Sequence, residues 1–178
     1  MRVSLIWLAV ITLSACGWHL RGITPIPDGY RILYLQGSGN TGFDQALNQQ
    51  LQFNGVVITE HAVDAPAQLV VESYEIERRT LSVSTNGQVA EYELNGRLTA
   101  TVSRPEDGIN TEILVRSRRT LTNDVNNIVA TANEERQQRS AIEKDLASKL
   151  LRRLQGISAN KADGKSEPAP APEPTQQP

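Results

Sequence analysis

Hydrophobic positions along the chain follow two periods, and the changes of period mark the elements. Ile142, Leu146, Leu150 and Leu154 recur at four-residue steps with Ala147 and Leu151 beside them. Such steps hold side chains on one helical face, so the stripe predicts an amphipathic helix. Glu134 and Glu135 stand at its positive end, Arg152 and Arg153 at its negative end, and Gly156 follows as a stop. With Asn133 as N-cap, or Thr131 and Glu134 as a capping box one register earlier, the expected length is about 22 residues. A shorter stripe of Phe43, Leu47 and Leu51, with Ala46 alongside and Asn54-Gly55 in the C-cap place, predicts a first helix over roughly 42 to 54. Before it, Tyr30 to Gln36 reads as a strand that breaks at Gly37-Ser38-Gly39-Asn40. Val56-Val57-Ile58 reads either as a short strand or as the exit from the helix.

Between the two helices the period is two, interrupted by the turn signals Asn86-Gly87 and Asp107-Gly108. A two-residue loop at Asn86-Gly87 sets Val83 against Ala90, Leu81 against Tyr92 and Val71 against Val102. A two-residue loop at Asp107-Gly108 sets Val102 against Ile113, Ala100 against Val115 and Leu94 against Leu121. One face is then apolar across three strands, and a four-residue loop at Pro105 to Gly108 shifts the partners while keeping that parity. Tyr74 and Ile76 fall out of phase, which calls for a bulge or for a hairpin middle that leaves the core. The expected fold class is α+β, with two helices packed on one face of a roughly four-stranded mixed sheet and a long protruding β-hairpin.

Length suggests which part protrudes. Gln68 to Ser84 extends about 55 Å at 3.3 Å per residue, whereas a helix of that expected length covers about 33 Å. The hairpin then overhangs the helices unless a bulge between Ser73 and Glu77 curls it. Its far end keeps Leu81, Val83, Val89 and Tyr92, apolar side chains that a partner would cover. Thr85, Asn86, Gly87 and Gln88 at the tip are the partner-contact candidates.

The two ends carry no fold signal of their own. Met1-Arg2 followed by an apolar run from Val3 to Leu13 and then Leu13-Ser14-Ala15-Cys16 has the form of a secretion signal. The run is too short to span a bilayer core of about 30 Å as a helix. Leu13-Ser14-Ala15-Cys16 resembles the lipobox of bacterial lipoproteins, which implies cleavage before Cys16, a diacylglycerol on its thiol and an acyl chain on its new amine. Several acyl chains together hold a protein on a membrane where one does not. Gly17 instead of aspartate after the cysteine favours the outer membrane. The segment from about Ser158 to Pro178 repeats proline without apolar periodicity and reads as a disordered tail. The expected organisation is therefore a signal peptide over 1–15, a lipid-anchored periplasmic α/β domain over 16–157 and the Pro-rich tail over 158–178.

Charge and chemistry mainly exclude. The formal net charge of −2 gives no basis for nucleic-acid binding. Cys16 is the only cysteine, so no disulfide forms. His19 and His61 stand far apart without a cysteine pair or paired carboxylates, and no nucleophile, zinc or phosphate-loop motif is present. These absences point away from an enzyme and call for no metal and no cofactor. Arginine predominates among the basic residues and suits bidentate contact with phosphate or carboxylate. By composition alone, Arg78, Arg79, Arg97, Arg116, Arg118 and Arg119 are the anionic-ligand candidates.

Four blocks in order carry a family resemblance: Cys16-Gly17-Trp18-His19-Leu20-Arg21, Leu51-Gln52-Phe53-Asn54-Gly55-Val56, Asn86-Gly87-Gln88-Val89-Ala90-Glu91-Tyr92 and Asn133-Glu134-Glu135-Arg136. Together they resemble the LptE (RlpB) family of LPS-assembly lipoproteins. The resemblance implies a lipoprotein on the periplasmic face of the outer membrane, held by outer-membrane lipid through its acylated N-terminus. It implies a plug that assists assembly of the large β-barrel LptD and takes part in lipopolysaccharide delivery to the outer leaflet. It also implies two helices on a four-stranded sheet, and direct lipopolysaccharide contact through basic side chains. Thr85, Thr131 and Ala132 stand where a basic residue can occur in the family, so those contacts are not carried over to this chain. The competing reading is a periplasmic carrier of an acylated or anionic ligand. Such a carrier needs an extra apolar layer around a cavity, whereas the apolar positions counted here suffice only to pack two helices on a sheet, and aromatics are only 4% of the chain.

Overall fold

In the computed structural model, which describes residues 26–162 with side chains as far as Ile157, a 3-10 turn at Asp28–Tyr30 leads into strand β1 (Ile32–Gln36). Helix α1 (Thr41–Phe53), the short strand β2 (Val57–Thr59) and the long strands β3 (Ala67–Val83), β4 (Val89–Arg104) and β5 (Ile109–Thr122) follow, and helix α2 (Ile128–Ala162) ends the described chain. The expected signal segment, Cys16 and residues 163–178 lie outside the described residues, while residues 158–162, expected to open the tail, form the end of α2.

Local chemistry sets the bounds of α1. Asn40 Oδ1 accepts from Phe43 N–H at 3.0 Å as N-cap, and Asp44 accepts from Ser38 N–H, Ser38 Oγ–H and Gly39 N–H, tying the preceding loop to the first turn. At the other end Gly55 adopts φ +81°, Gly55 N–H donates to Gln52 O, and Val56 N–H donates to Leu51 O. This is the Schellman closure expected of Asn54-Gly55. Phe43, Leu47 and Leu51 form its fully buried stripe.

The sheet has five strands in the order β2-β1-β3-β4-β5. Val57–Thr59 resolves the ambiguous segment as a strand parallel to β1, one more than the four expected. β1 is also parallel to β3, while β3, β4 and β5 form an antiparallel meander. Both helices cover one face.

Pairing registers differ from expectation for a reason in each loop. The first loop spans Ser84 to Gln88: Gly87 N–H donates to Ser84 O, Ser84 N–H donates to Gln88 O, and Gly87 takes φ +75°. That is a type I turn closed by a glycine bulge, not a two-residue turn, so Val83 pairs with Val89. The second connection is the four-residue loop, with Pro105–Asp107 as a 3-10 turn. Ala100 therefore faces Ile113, Leu98 faces Val115 and Tyr92 faces Leu121, with the apolar parity intact.

A register shift between Val71 and Ser73 leaves Glu72 as a bulge residue. Ala67, Leu69 and Val71 are buried before it, and Tyr74 and Ile76 pack against the core after it. The bulge moves the even-numbered positions from Tyr74 to Thr80 onto the helix face, until a second register shift after Thr80. Tyr74 stacks on Phe43 at 4.8 Å and its hydroxyl donates to Glu143 Oε1 at 3.3 Å. Burial, then the neighbouring Glu143 carboxylate, pushes the Tyr74 hydroxyl well above the ordinary tyrosine range.

The largest departure is at α2. Its N-cap is Asn127, whose Oδ1 accepts from Ala130 N–H at 3.1 Å, while Thr131 Oγ1 accepts from Asp124 N–H and anchors the preceding loop. Asn133 lies inside the helix. The helix has 35 residues, so it covers about 52 Å and is much longer than the roughly 22 residues expected, while the long β3–β4–β5 hairpin stands as expected. Ile142, Leu146, Ala147, Leu150, Leu151 and Leu154 are buried as the stripe demands, but none of residues 128–141 is.

Candidate functional site

Among the described residues no helix covers the outer face of β3, β4 and β5, and the register lines up its charges in rows. Glu75, Arg97 and Arg116 are neighbours across the three strands; Glu77, Asn95 and Arg118 form the next row, and Arg79, Glu93 and Thr120 the row beyond. Arg79 bonds Glu77 at 2.9 Å and Arg118 bonds Glu93 at 3.3 Å. Arg97 and Arg116 stand directly opposite each other, and among the described residues neither is paired with a carboxylate.

That juxtaposition is also close. Asn123 N–H donates to Ala90 O at 2.8 Å, which fixes the hydrogen-bonded pairs of the β4–β5 ladder and leaves Arg97 and Arg116 as a non-hydrogen-bonded pair. Such pairs bring their Cα atoms to about 4.5 Å, and like charges so placed repel. An anion bridging the two guanidinium groups would relieve the repulsion. They line an open cleft of about 560 Å³ with Glu75, Asn95, Arg118 and Lys149.

The six sequence candidates therefore divide. Arg79, Arg97, Arg116 and Arg118 share the open face. Arg78 and Arg119 are on the opposite parity, toward α2. Arg78 lies 4.7 Å over the Tyr92 ring and donates to Glu135 Oε2 at 2.9 Å, joining the hairpin to α2. Arg139 bonds the same carboxylate at 2.8 Å. Burial raises the Glu135 pKa, but hydrogen bonds from Arg139 and Arg78 outweigh it and hold the carboxyl below its ordinary value. Thr85, Asn86, Gly87 and Gln88 form the exposed tip loop.

Two features escaped the reading of the sequence. One is that exposed apolar side chains continue beyond the expected Leu81 and Val83 of the hairpin to Val125 on the loop after β5 and to Ile128 and Val129 opening α2, these five being between 45 and 75% exposed. Ile128 precedes Ile142 by nearly four helical turns and so continues its stripe, a signal that starting the helix at Asn133 conceals. The other is the seam between β5 and the second half of α2. There the buried Ser117 donates to Asp145 Oδ2 at 2.6 Å, and Lys149 Nζ bonds both Asp145 at 2.6 Å and the Arg116 backbone oxygen at 2.8 Å. Burial pushes the Asp145 carboxyl up, yet the bonds from Lys149 and Ser117 bring it below the ordinary range. Among the described residues no cluster of three metal-ligating side chains occurs.

Comparison with known proteins agrees with this architecture. A family model described as LptE, lipopolysaccharide-assembly, matches residues 30–154. The LPS-assembly lipoprotein LptE of Photorhabdus laumondii is 34% identical over 107 residues, covering 59% of this chain and 58% of its own length. The protein of the same name from Yersinia enterocolitica is 32% identical over 158 residues, covering 87% of this chain and 75% of its own. Among solved structures, rare lipoprotein B of Shewanella oneidensis shares the fold at a TM-score of 0.66 and 23% identity, covering 74% of this chain and 98% of that one.

Proposed function

The chain belongs to the LptE family of lipopolysaccharide-assembly lipoproteins, and from that premise we propose that it plugs an LptD-type outer-membrane β-barrel, assists its assembly and takes part in lipopolysaccharide delivery to the outer leaflet. Lipid on Cys16 holds it to the periplasmic face of that membrane. Family members are assembly lipoproteins, not enzymes.

One observation carries the reading: the exposed apolar group of Leu81, Val83, Val125, Ile128 and Val129 at the tip end. Two separate elements leave apolar side chains in water there, and a partner that encloses this end would bury them. A photo-crosslinker at Thr85 or Gln88 in living cells is expected to give an adduct with the large barrel protein. Absence of that adduct, with strong adducts from the exposed face of α1, would refute insertion by the tip. Replacing Cys16 with Ala is expected to release the chain from the membrane or leave an unlipidated precursor; mature wild-type protein with an unmodified Cys16 thiol would overturn the anchor.

Lipopolysaccharide contact falls to the open sheet face, where Arg97 and Arg116 are opposed and unpaired. Reversing both to Glu is expected to weaken lipopolysaccharide binding more at low salt than at high salt. Equal binding by wild type and the double reversal would return them to ordinary solvated surface. The carrier reading gains nothing from the fold, since the hollows described on this domain are open clefts, largely charged, and the space between helices and sheet is filled by buried side chains.

A further inference from the structure

β5 is an edge strand, and its free side is a polar surface of a particular kind. Because Arg116 belongs to a non-hydrogen-bonded pair with Arg97, its N–H and C=O point away from β4, and the same holds for Leu114 and Arg118. Lys149 Nζ already donates to the Arg116 oxygen, in the place a neighbouring strand's N–H would take. Among the described residues no strand pairs on this side.

Alongside the edge runs a line of open clefts of roughly 500 to 600 Å³ each, between β5 and the second half of α2. Arg152 and Arg153 flank them, both exposed and with no ion pair among the described residues, and Leu114, 44% exposed, gives an apolar strip. A row of outward backbone donors and acceptors, of which the Arg116 oxygen is bonded by Lys149, together with a cationic wall and an apolar strip, matches an extended polypeptide better than any single small anion.

We infer that this seam accepts, as a sixth strand, an extended segment of a partner polypeptide in which acidic and apolar residues alternate. Its backbone pairs with the outward groups of Leu114, Arg116 and Arg118. Its acidic side chains meet Arg152, Arg153 and Lys149, and an apolar residue lies beside Leu114. A second copy of the same edge does not fit, because it brings its own Arg116 and Arg118 against these. The inference goes beyond the barrel-insertion reading, which concerns the tip end of the domain, and stands or falls separately from it.

The test uses the full lipidated chain in detergent and a fluorescein-labelled peptide, Glu-Val-Glu-Val-Glu-Val-Glu, followed by anisotropy and by amide exchange. Saturable binding is expected, with slowed exchange at Leu114, Arg116 and Arg118. Charge reversal by R152E with R153E, at exposed positions that leave the fold intact, is expected to weaken binding at least about tenfold. The same peptide N-methylated at alternate residues keeps its charge but cannot extend a sheet, and it is expected to bind at least about tenfold more weakly. Equal binding of the N-methylated peptide, no response to the double reversal, or no saturable binding would overturn the inference. So would arginine-dependent binding to phosphatidylglycerol vesicles without peptide binding, which would assign the seam to a lipid surface instead.

Discussion

The two ends of the same sheet are built on different terms. Toward the β1 end, Leu69, Val71, Leu98, Ala100, Val102, Ile113 and Val115 are buried under α1 and the second half of α2. Toward the tip the ladder continues without interruption of strand identity, but no residue of β3 after Val71 is buried, nor any of α2 before Ile142. Backbone hydrogen bonding is alike at both ends, so the contrast isolates what side chains add. A buried Leu contributes about 1.5 to 3 kcal/mol; the tip half has Leu94 and Leu121 of that kind, and beyond them it is tied by the Arg78–Glu135–Arg139 cluster and the stacking of Arg78 on Tyr92. Exposed ion pairs of this kind contribute about 0.2 to 1 kcal/mol each. Segments held by fewer buried side chains open locally before the core does, which suits the tip insertion proposed above.

Substitutions at the two ends test that contrast directly. Leu98→Ala removes a fully buried side chain and is expected to cost about 2 to 5 kcal/mol in denaturant unfolding; a loss below about 1 kcal/mol would mean the core is not where the contrast puts it. Gly96→Ala comes next. A Cβ there would overlap Ile142 Cγ2 and approach Leu146 Cδ1 to 3.2 Å, so α2 must shift, at about 1 to 3 kcal/mol. An unchanged midpoint would show that α2 sits less tightly on β4 than described.

Arg78→Ala is expected to cost at most about 1 kcal/mol globally while clearly speeding amide exchange in the hairpin beyond Glu77 and in the first turns of α2. Uniform loss of protection across the domain would mean the tip end does not open on its own. A pH titration should register a smaller effect still. Glu135 and Asp145 are both held below ordinary carboxylate values, so the stability they add is present above the unfolded-state value near pH 4 and is lost as pH falls through their folded values. Solvent reaches both, which keeps the effect small, and Asp145→Asn should flatten that acid-side loss in a plot of unfolding midpoint against pH. Last, Leu81→Ala at a half-exposed tip position is expected to leave stability within about 0.5 kcal/mol. A loss like that of Leu98→Ala would erase the difference between the ends.

The sequence by itself determined the elements whose signals are local. Four-residue steps fixed the buried faces of both helices, Asn54-Gly55 fixed the end of α1, and alternation fixed the apolar face of β4 and β5, because parity survives a change in loop length. For the candidate site, the arginines and the tip loop could be picked out by residue type, but residue type does not say which strand face a side chain occupies. Only the tertiary structure decided that. The glycine-bulge turn after Val83 and the bulge at Glu72 set the register, and with it the placing of Arg97 against Arg116 and of Arg78 toward α2. The start of α2, by contrast, is set by local bonds, the Asn127 cap on Ala130 N–H and the Asp124–Thr131 bond seven residues apart, and the capping pattern around Asn133 concealed them. Periodicity along a chain records which way a side chain points relative to its neighbours; which cations end up side by side depends on pairing between distant stretches of the sequence, as with Arg97 and Arg116, and that is a property of the folded sheet.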